Sequence, residues 1–173
     1  MRALVVALQF LTIIPIRINN FSERDIGRAV TWFPVVGAVQ GAFLYLSMLI
    51  LIRFFGLELS SAILISLLLM TNGGLHIDGL ADTFDGLGAN TMEKRLAAMK
   101  DSSTGPIGVV SIIMVLLIKF IALKSLLIDE RAALFLMPVL GRWSMVPAIY
   151  TSIAARDSGL GNLFINYTGI KEV

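Results

Sequence analysis

Residues 29–52 run between Arg28 and Arg53 without one charged side chain, and as a helix those 24 residues would extend about 36 Å. That is long enough to cross a bilayer core with some tilt. A helix that is apolar all round has to be buried in protein or lipid. Three more apolar stretches follow, at 59–77, 106–128 and 132–154. The chain is 57% hydrophobic and only 15% charged, against roughly 25% charge in soluble domains. Too few polar side chains remain to cover a soluble globule. Residues 3–16 are apolar but too short to cross upright, and read as an interfacial or re-entrant helix. The expectation is an all-α, polytopic integral membrane bundle of about four full spans plus that N-terminal helix. At 173 residues the chain fits a single membrane-embedded domain over 1–173.

Other functions are bounded by what is missing. A net charge of +2 argues against nucleic acid as a partner. Without cysteine there is no disulfide framework and no thiolate metal site. The run to Ile14-Pro15-Ile16-Arg17 has no small-residue cleavage site, so a cleaved signal is not expected. Alternating passage through four spans puts Arg17, Arg24, Arg28, Lys94, Arg95, Lys100, Arg156 and Lys171 on one side. Arg53, Lys124 and Arg131 fall on the other. The positive-inside rule then places the first group in the cytoplasm of a cell whose cytoplasmic membrane holds the chain.

The chemistry is concentrated in Gly73-Gly74-Leu75-His76-Ile77-Asp78-Gly79-Leu80-Ala81-Asp82-Thr83-Phe84-Asp85-Gly86. Asp78, Asp82 and Asp85 are spaced i, i+4, i+7, which gathers them within about 60° on a helix. At about 6 Å and an effective dielectric of about 20, each pair would repel by about 3 kcal/mol. One or two Mg²⁺ ions would turn that repulsion into coordination, since carboxylate oxygens are hard ligands. The plainer alternative is a solvated acidic face. Gly73 and Gly74 break the helix before the stripe, and Gly79, Gly86 and Gly88 leave bare backbone against which a phosphate fits. His76 lies off the stripe; it can ligate metal, bond phosphate or hydrogen-bond a carbonyl.

A second group runs from Lys94 to Gly108. Asp101, Ser102 and Thr104 precede an apolar helix and suit its N-cap, where phosphate is also favoured. Lys94, Arg95 and Lys100 either contact phosphate or set membrane orientation. Arg142, inside the last span, has to face protein or a polar cavity and is a candidate partner for an anionic substrate or for the aspartates. Lys119 can snorkel. Gly37 and Gly41 form a GxxxG, a spacing of close helix packing, and their face is a candidate seam for a homo-oligomer.

The segment GGLHIDGLADTFDG resembles the central motif of the cobalamin synthase family, the adenosylcobinamide-GDP ribazoletransferases. Other blocks match in order: Ala7-Leu8-Gln9-Phe10-Leu11-Thr12-Ile13-Ile14-Pro15, Trp32-Phe33-Pro34-Val35-Val36-Gly37, Met99-Lys100-Asp101-Ser102 with Gly105 and Gly108, Gly141-Arg142-Trp143, and Ala155-Arg156-Asp157-Ser158-Gly159-Leu160-Gly161. The resemblance covers residues 7–161. Members of that family usually continue with further hydrophobic C-terminal helices, whereas this chain stops soon after Tyr167-Thr168-Gly169; a short or truncated form is implied.

The resemblance implies a Mg²⁺-dependent transfer from adenosylcobinamide-GDP to α-ribazole or its 5′-phosphate, with release of GMP. Such a reaction needs charge neutralisation and in-line positioning more than covalent catalysis. Asp78 and Asp82 are then the firmer metal ligands and Asp85 the favoured base, itself a third ligand candidate. Lys100 and Arg142 are the candidates for substrate phosphates, with His76, Gly79, Asp101 and Ser102 completing the substrate side. Rival readings are a CDP-alcohol phosphotransferase-like membrane enzyme, a divalent-cation transporter and an inert membrane scaffold.

Overall fold

The computed structural model describes residues 1–16 and 20–169, and among them only helices and connections occur. Arg17 and Lys171, two of the charges used above for orientation, lie outside the described residues. Helix α1 (Arg2–Leu11) is amphipathic and turns Val6, Ala7 and Leu11 inward. Helix α2 (Glu23–Ala29) starts in a capping box: the Asp25 carboxylate accepts the Ser22 amide at 2.9 Å, and the Ser22 hydroxyl accepts the Asp25 amide at 3.3 Å. A 3₁₀ turn, Val30–Trp32, leads into α3 (Phe33–Phe54), with Pro34 in the first turn where its missing N–H costs nothing.

Helix α4 (Leu57–Thr71) does not continue straight into the acidic segment as the run 59–77 suggests. Gly73 and Gly74 take φ of +60° and +74°, and α5 (Leu75–Leu87) leaves at 87° to α4. Both values lie in the left-handed region that only glycine occupies without penalty. Their amides still find acceptors, Gly73 to Met70 and Gly74 to Leu69, which closes the end of α4. Short α6 (Met92–Ala98) is followed by the long α7 (Pro106–Asp129), then α8 (Ala133–Thr151) and α9 (Leu160–Tyr167).

Among the described residues, three segments are long and apolar enough to cross a membrane: Glu23–Phe54, Pro106–Ile128 and Ala133–Thr151. The bent pair α4–α5 makes a fourth if counted as one broken span. The lipid-facing character is visible in the side chains. Val110, Met114, Ile118 and Ile121 of α7, with Leu46 and Ile50 of α3, are more than half exposed. In water such a surface would be a large aggregation-prone patch; in a bilayer it is solvated.

Two cores hold the bundle. One joins α1, α2, α3, α8 and α9 around Phe33, Val36 and Phe164, with Phe10 against both phenylalanine rings. The other joins α3, α4, α7 and α8 around Leu44, Met48, Leu64, Leu68 and Leu127. Helices α3 and α8 pack antiparallel at backbone contact. A Cβ at Gly37 would stand 2.5 Å from the Pro138 carbonyl oxygen, and one at Gly41 would collide with that of Phe135. The Gly37/Gly41 face is therefore filled from within the chain, and the expectation that it forms a seam between copies is corrected. Close approach without side chains is what lets two membrane helices gain dispersion contacts. Gly37→Ala is expected to cost about 1–3 kcal/mol by overpacking, read as a lower thermal unfolding midpoint in detergent; an unchanged midpoint would show that α3 and α8 do not rest on this contact.

Candidate active site

Helix α5 runs antiparallel beside α7, so that its two flanks carry different chemistry. Asp85 lies level with the first turn of α7, and His76 lies level with Lys119 further along. The three aspartates occupy one helical stripe, as their spacing requires. Asp78 is exposed and Asp82 half-buried, and neither has a hydrogen-bond partner among the described residues. Asp78 lines a shallow cavity of about 360 Å³ with Gly74, Ala81, Thr104 and Ile112. A Cβ on Gly79 would meet nothing within 4 Å. Gly79 therefore keeps the flank open rather than permitting close helix packing.

Asp85 is engaged differently. Its Oδ2 accepts the Gly105 amide and its Oδ1 the Gly108 amide, each at 2.8 Å. Gly105 is the N-cap of α7 and has no cap from its own segment. Asp85 thus caps α7 from 20 residues upstream, placing a negative charge at the positive end of a 24-residue helix. The glycines make room: a Cβ on Gly105 would come within 2.5 Å of Asp85 Oδ1, and one on Gly108 would collide with the same carboxylate. One expectation is corrected here: Asp101, Ser102 and Thr104 do not cap α7. Asp85, the favoured base of the sequence reading, has each oxygen accepting a backbone amide and so joins α5 to α7.

Asp101 instead orders its own turn. Its Oδ1 accepts the Ser103 amide at 3.0 Å and the Ser103 hydroxyl at 2.8 Å. The Ser103 amide foremost, and then its hydroxyl, hold the Asp101 carboxyl below its ordinary range. Lys100 and Ser102 are exposed on the same turn. Arg156 reaches it from the far end of the chain, its guanidinium donating to the Leu96 carbonyl of α6. The Arg156 carbonyl in turn accepts the Asn162 amide group at 2.9 Å. Two basic segments distant in sequence therefore meet beside the end of α5.

The other flank of α5 borders α4, α7 and α8, with Ile77 and Leu80 half-buried and His76 exposed. His76 lines a cavity of about 270 Å³ with Asn72, Lys119 and Arg142, among apolar side chains from α4, α7 and α8. Arg142 is buried, as a charge in the middle of a span has to be. Its Nη2 donates to Asn72 Oδ1 at 2.6 Å, and Gln40 Nε2 donates to the same oxygen. Asn72 sits at the break between α4 and α5, so this one amide ties α3, α8 and the bent pair together. Asn72→Leu is expected to cost about 1.5–3 kcal/mol, the worth of a hydrogen bond to a charged group. Thermal unfolding in detergent reads this; a midpoint unmoved by the change would show that Arg142 finds another acceptor.

Sequence reasoning did not single out Asn72 or Gln40, and left Lys119 as a residue that snorkels. The available signal was polar side chains within or at the ends of apolar spans, which are rarely placed there without use. His76 and Arg142 do meet in space, but on the flank away from the aspartates.

The fit of the acidic stripe to a metal follows from its donors. Among the described residues, no three acidic or histidine side chains converge to hold an ion. Of the three carboxylates, Asp78 and Asp82 have no hydrogen-bond partner among the described residues, whereas Asp85 accepts two amides. Two free carboxylates are what Mg²⁺ commonly takes from protein when water and substrate phosphate complete its octahedron. The pair therefore fits an ion shared with a phosphorylated substrate, and does not fit a closed protein cage.

The family model described as cobalamin-5-phosphate synthase matches residues 3–173. The chain belongs to the cobalamin-5-phosphate synthase family. It is 41% identical to the adenosylcobinamide-GDP ribazoletransferase of Geotalea daltonii, the match covering 100% of this chain and 71% of the relative. Its identity to the protein of the same name from Caldanaerobacter subterraneus subsp. tengcongensis is 39%, over 99% of this chain and 71% of that one. With the Acinetobacter baumannii protein of that name, identity is 44% over 90% of this chain and 64% of the relative. No solved structure matches. The geometry described here thus shows how a member of the cobalamin-5-phosphate synthase family arranges its acidic motif: two carboxylates left free, the third spent on the helix that packs beside them.

Proposed function

We propose that the chain transfers the adenosylcobinamide-phosphate group of adenosylcobinamide-GDP to α-ribazole, or to its 5′-phosphate, and releases GMP. The products are adenosylcobalamin or its 5′-phosphate, the last assembly step of cobalamin biosynthesis. Family membership supports the reaction, and the single structural observation that carries it is the free pair Asp78 and Asp82 on an open flank of α5. In the reaction a ribose hydroxyl oxygen of the acceptor bonds to the cobinamide-side phosphorus. The bond from that phosphorus to the bridging oxygen breaks, and GMP departs with the electron pair. The hydroxyl proton passes to a carboxylate.

Asp82 is the residue for that proton, in place of Asp85, because its oxygens carry no backbone partners. Asp78 and Asp82 would hold Mg²⁺, and the ion would supply charge neutralisation to the departing phosphate. Asp85 fixes the pitch of the stripe against α7 and so sets where the two free carboxylates point. Lys100 and Ser102, exposed on the turn that Asp101 orders, are the candidates to meet substrate phosphate. Bare backbone at Gly79 leaves space for a bulky diphosphate beside the pair.

The stripe faces the cytoplasm of a cytoplasmic membrane in this reading. Arg24, Arg28, Lys94, Arg95, Lys100 and Arg156 support it by the positive-inside rule, and the Arg156 contact with α6 keeps two of those segments together. The test is the purified chain in detergent with Mg²⁺, adenosylcobinamide-GDP and α-ribazole, with GMP release measured against CMP release from a CDP-alcohol substrate. GMP release is expected. CMP release alone would replace the reaction by its CDP-alcohol analogue.

A further inference from the structure

Two cationic side chains, buried Arg142 and half-buried Lys119, stand within apolar helices and form no ion pair among the described residues. Lys119 lies near the middle of α7 and Arg142 near the middle of α8. Both line the cavity of about 270 Å³ beside His76 and Asn72, and no carboxylate lines it. Arg142 is only 6% exposed, and its Nε has no hydrogen-bond partner among the described residues. Lys119 forms no ion pair among the described residues; the pair that does form, Lys124 with Glu58 at 2.6 Å, belongs to the far end of α4. The aspartates do not serve as counter-ions. They occupy the flank of α5 turned from this cavity, where Asp78 lines a different space with Thr104 and Ile112.

Unpaired charges at such depth are costly, and membrane proteins keep them where something anionic passes or binds. The start of α5 adds to the field. The helix begins at the Gly74 break with His76 in its first turn, so its positive end lies at the cavity wall. The donors present suit one ligand chemistry: a guanidinium with an uncommitted N–H, an ammonium and an imidazole set among apolar side chains.

We propose that the open cavity between α4, α5, α7 and α8 is a second anion subsite, which binds a phosphate group through Lys119 and Arg142 and is separate from the carboxylate flank. The phosphate is carried either by a soluble reactant or by an anionic lipid. The subsite does not depend on the reaction proposed above.

The test uses the full chain in nanodiscs of zwitterionic lipid, with inorganic phosphate as the probe and ³¹P line broadening as the readout. Saturable binding is expected, weakened at least tenfold in Lys119→Gln and restored in Lys119→Arg. Asp82→Ala should bind phosphate like the unmodified chain, because it alters the other flank. Two further arms identify the source. Displacement of phosphate by α-ribazole 5′-phosphate, but not by α-ribazole, assigns a soluble phosphomonoester. Lys119-dependent retention of phosphatidylglycerol through purification assigns a lipid headgroup. Binding of all three probes that is absent, or equal in the unmodified chain and Lys119→Gln, would overturn the subsite. Loss of GMP release with phosphate binding intact would remove the proposed reaction and leave the subsite standing.

Discussion

Asp82→Ala is expected to reduce GMP release by about 10²–10⁴-fold, the range typical of losing a positioned general base. The protein should remain folded. Asp82 carries no hydrogen bond to another residue among those described, and it is flanked on its own stripe by Asp78 and Asp85, so its removal relieves repulsion rather than breaking a contact. Thermal unfolding in detergent should therefore shift little, or upward. Asp82→Asn tests the same point with the volume kept: it retains an oxygen ligand but loses the proton acceptor, and should be comparably impaired. Near-normal turnover in either variant would take Asp82 out of the chemistry.

Asp85→Ala is expected to fail for a different reason. It removes the side-chain cap that α7 has among the described residues and leaves the Gly105 and Gly108 amides without their acceptors. Loss of an N-cap costs up to about 2 kcal/mol, and a charged acceptor with two amides pushes toward the upper end, so about 2–3 kcal/mol is expected. Unlike Asp82→Ala, this variant should lose stability and turnover together. Gly108→Ala offers an independent check, because its methyl group would collide with the Asp85 carboxylate while leaving all three aspartates in the chain. It should reproduce the Asp85→Ala loss of stability. A stable Gly108→Ala protein with full activity would show that the tie between α5 and α7 is dispensable.

Much of this was legible in the residues, for identifiable reasons. The uncharged run 29–52 allowed only a buried or membrane helix, and α3 occupies most of it. The i, i+4, i+7 spacing of Asp78, Asp82 and Asp85 dictated a common stripe once the segment was helical. Gly73-Gly74 announced a break, and both residues adopt left-handed backbone. What the chain alone did not disclose were contacts whose second partner has no side-chain signature. The cap on α7 is a carboxylate meeting two backbone amides, and nothing in Gly105 or Gly108 names Asp85 as their acceptor. Gly86 and Gly88 read as bare backbone for phosphate, whereas a Cβ at Gly86 would press on Met99 and one at Gly88 on Ile107. The inner cavity escaped notice because His76, Lys119 and Arg142 come from three separate helices and meet only through tertiary packing. Gly37 and Gly41 were read correctly as a close-packing pair, but their partner is α8 of the same chain.

The central claim is that Asp78 and Asp82 together hold a divalent cation shared with the diphosphate substrate. Mn²⁺ in place of Mg²⁺ makes that directly visible by electron paramagnetic resonance on the detergent-purified chain. With adenosylcobinamide-GDP present, the unmodified chain should bind Mn²⁺ saturably, and the Asp78→Asn/Asp82→Asn double variant should bind it at least 100-fold more weakly while unfolding at a similar temperature. Equal Mn²⁺ binding by the two proteins would contradict the account.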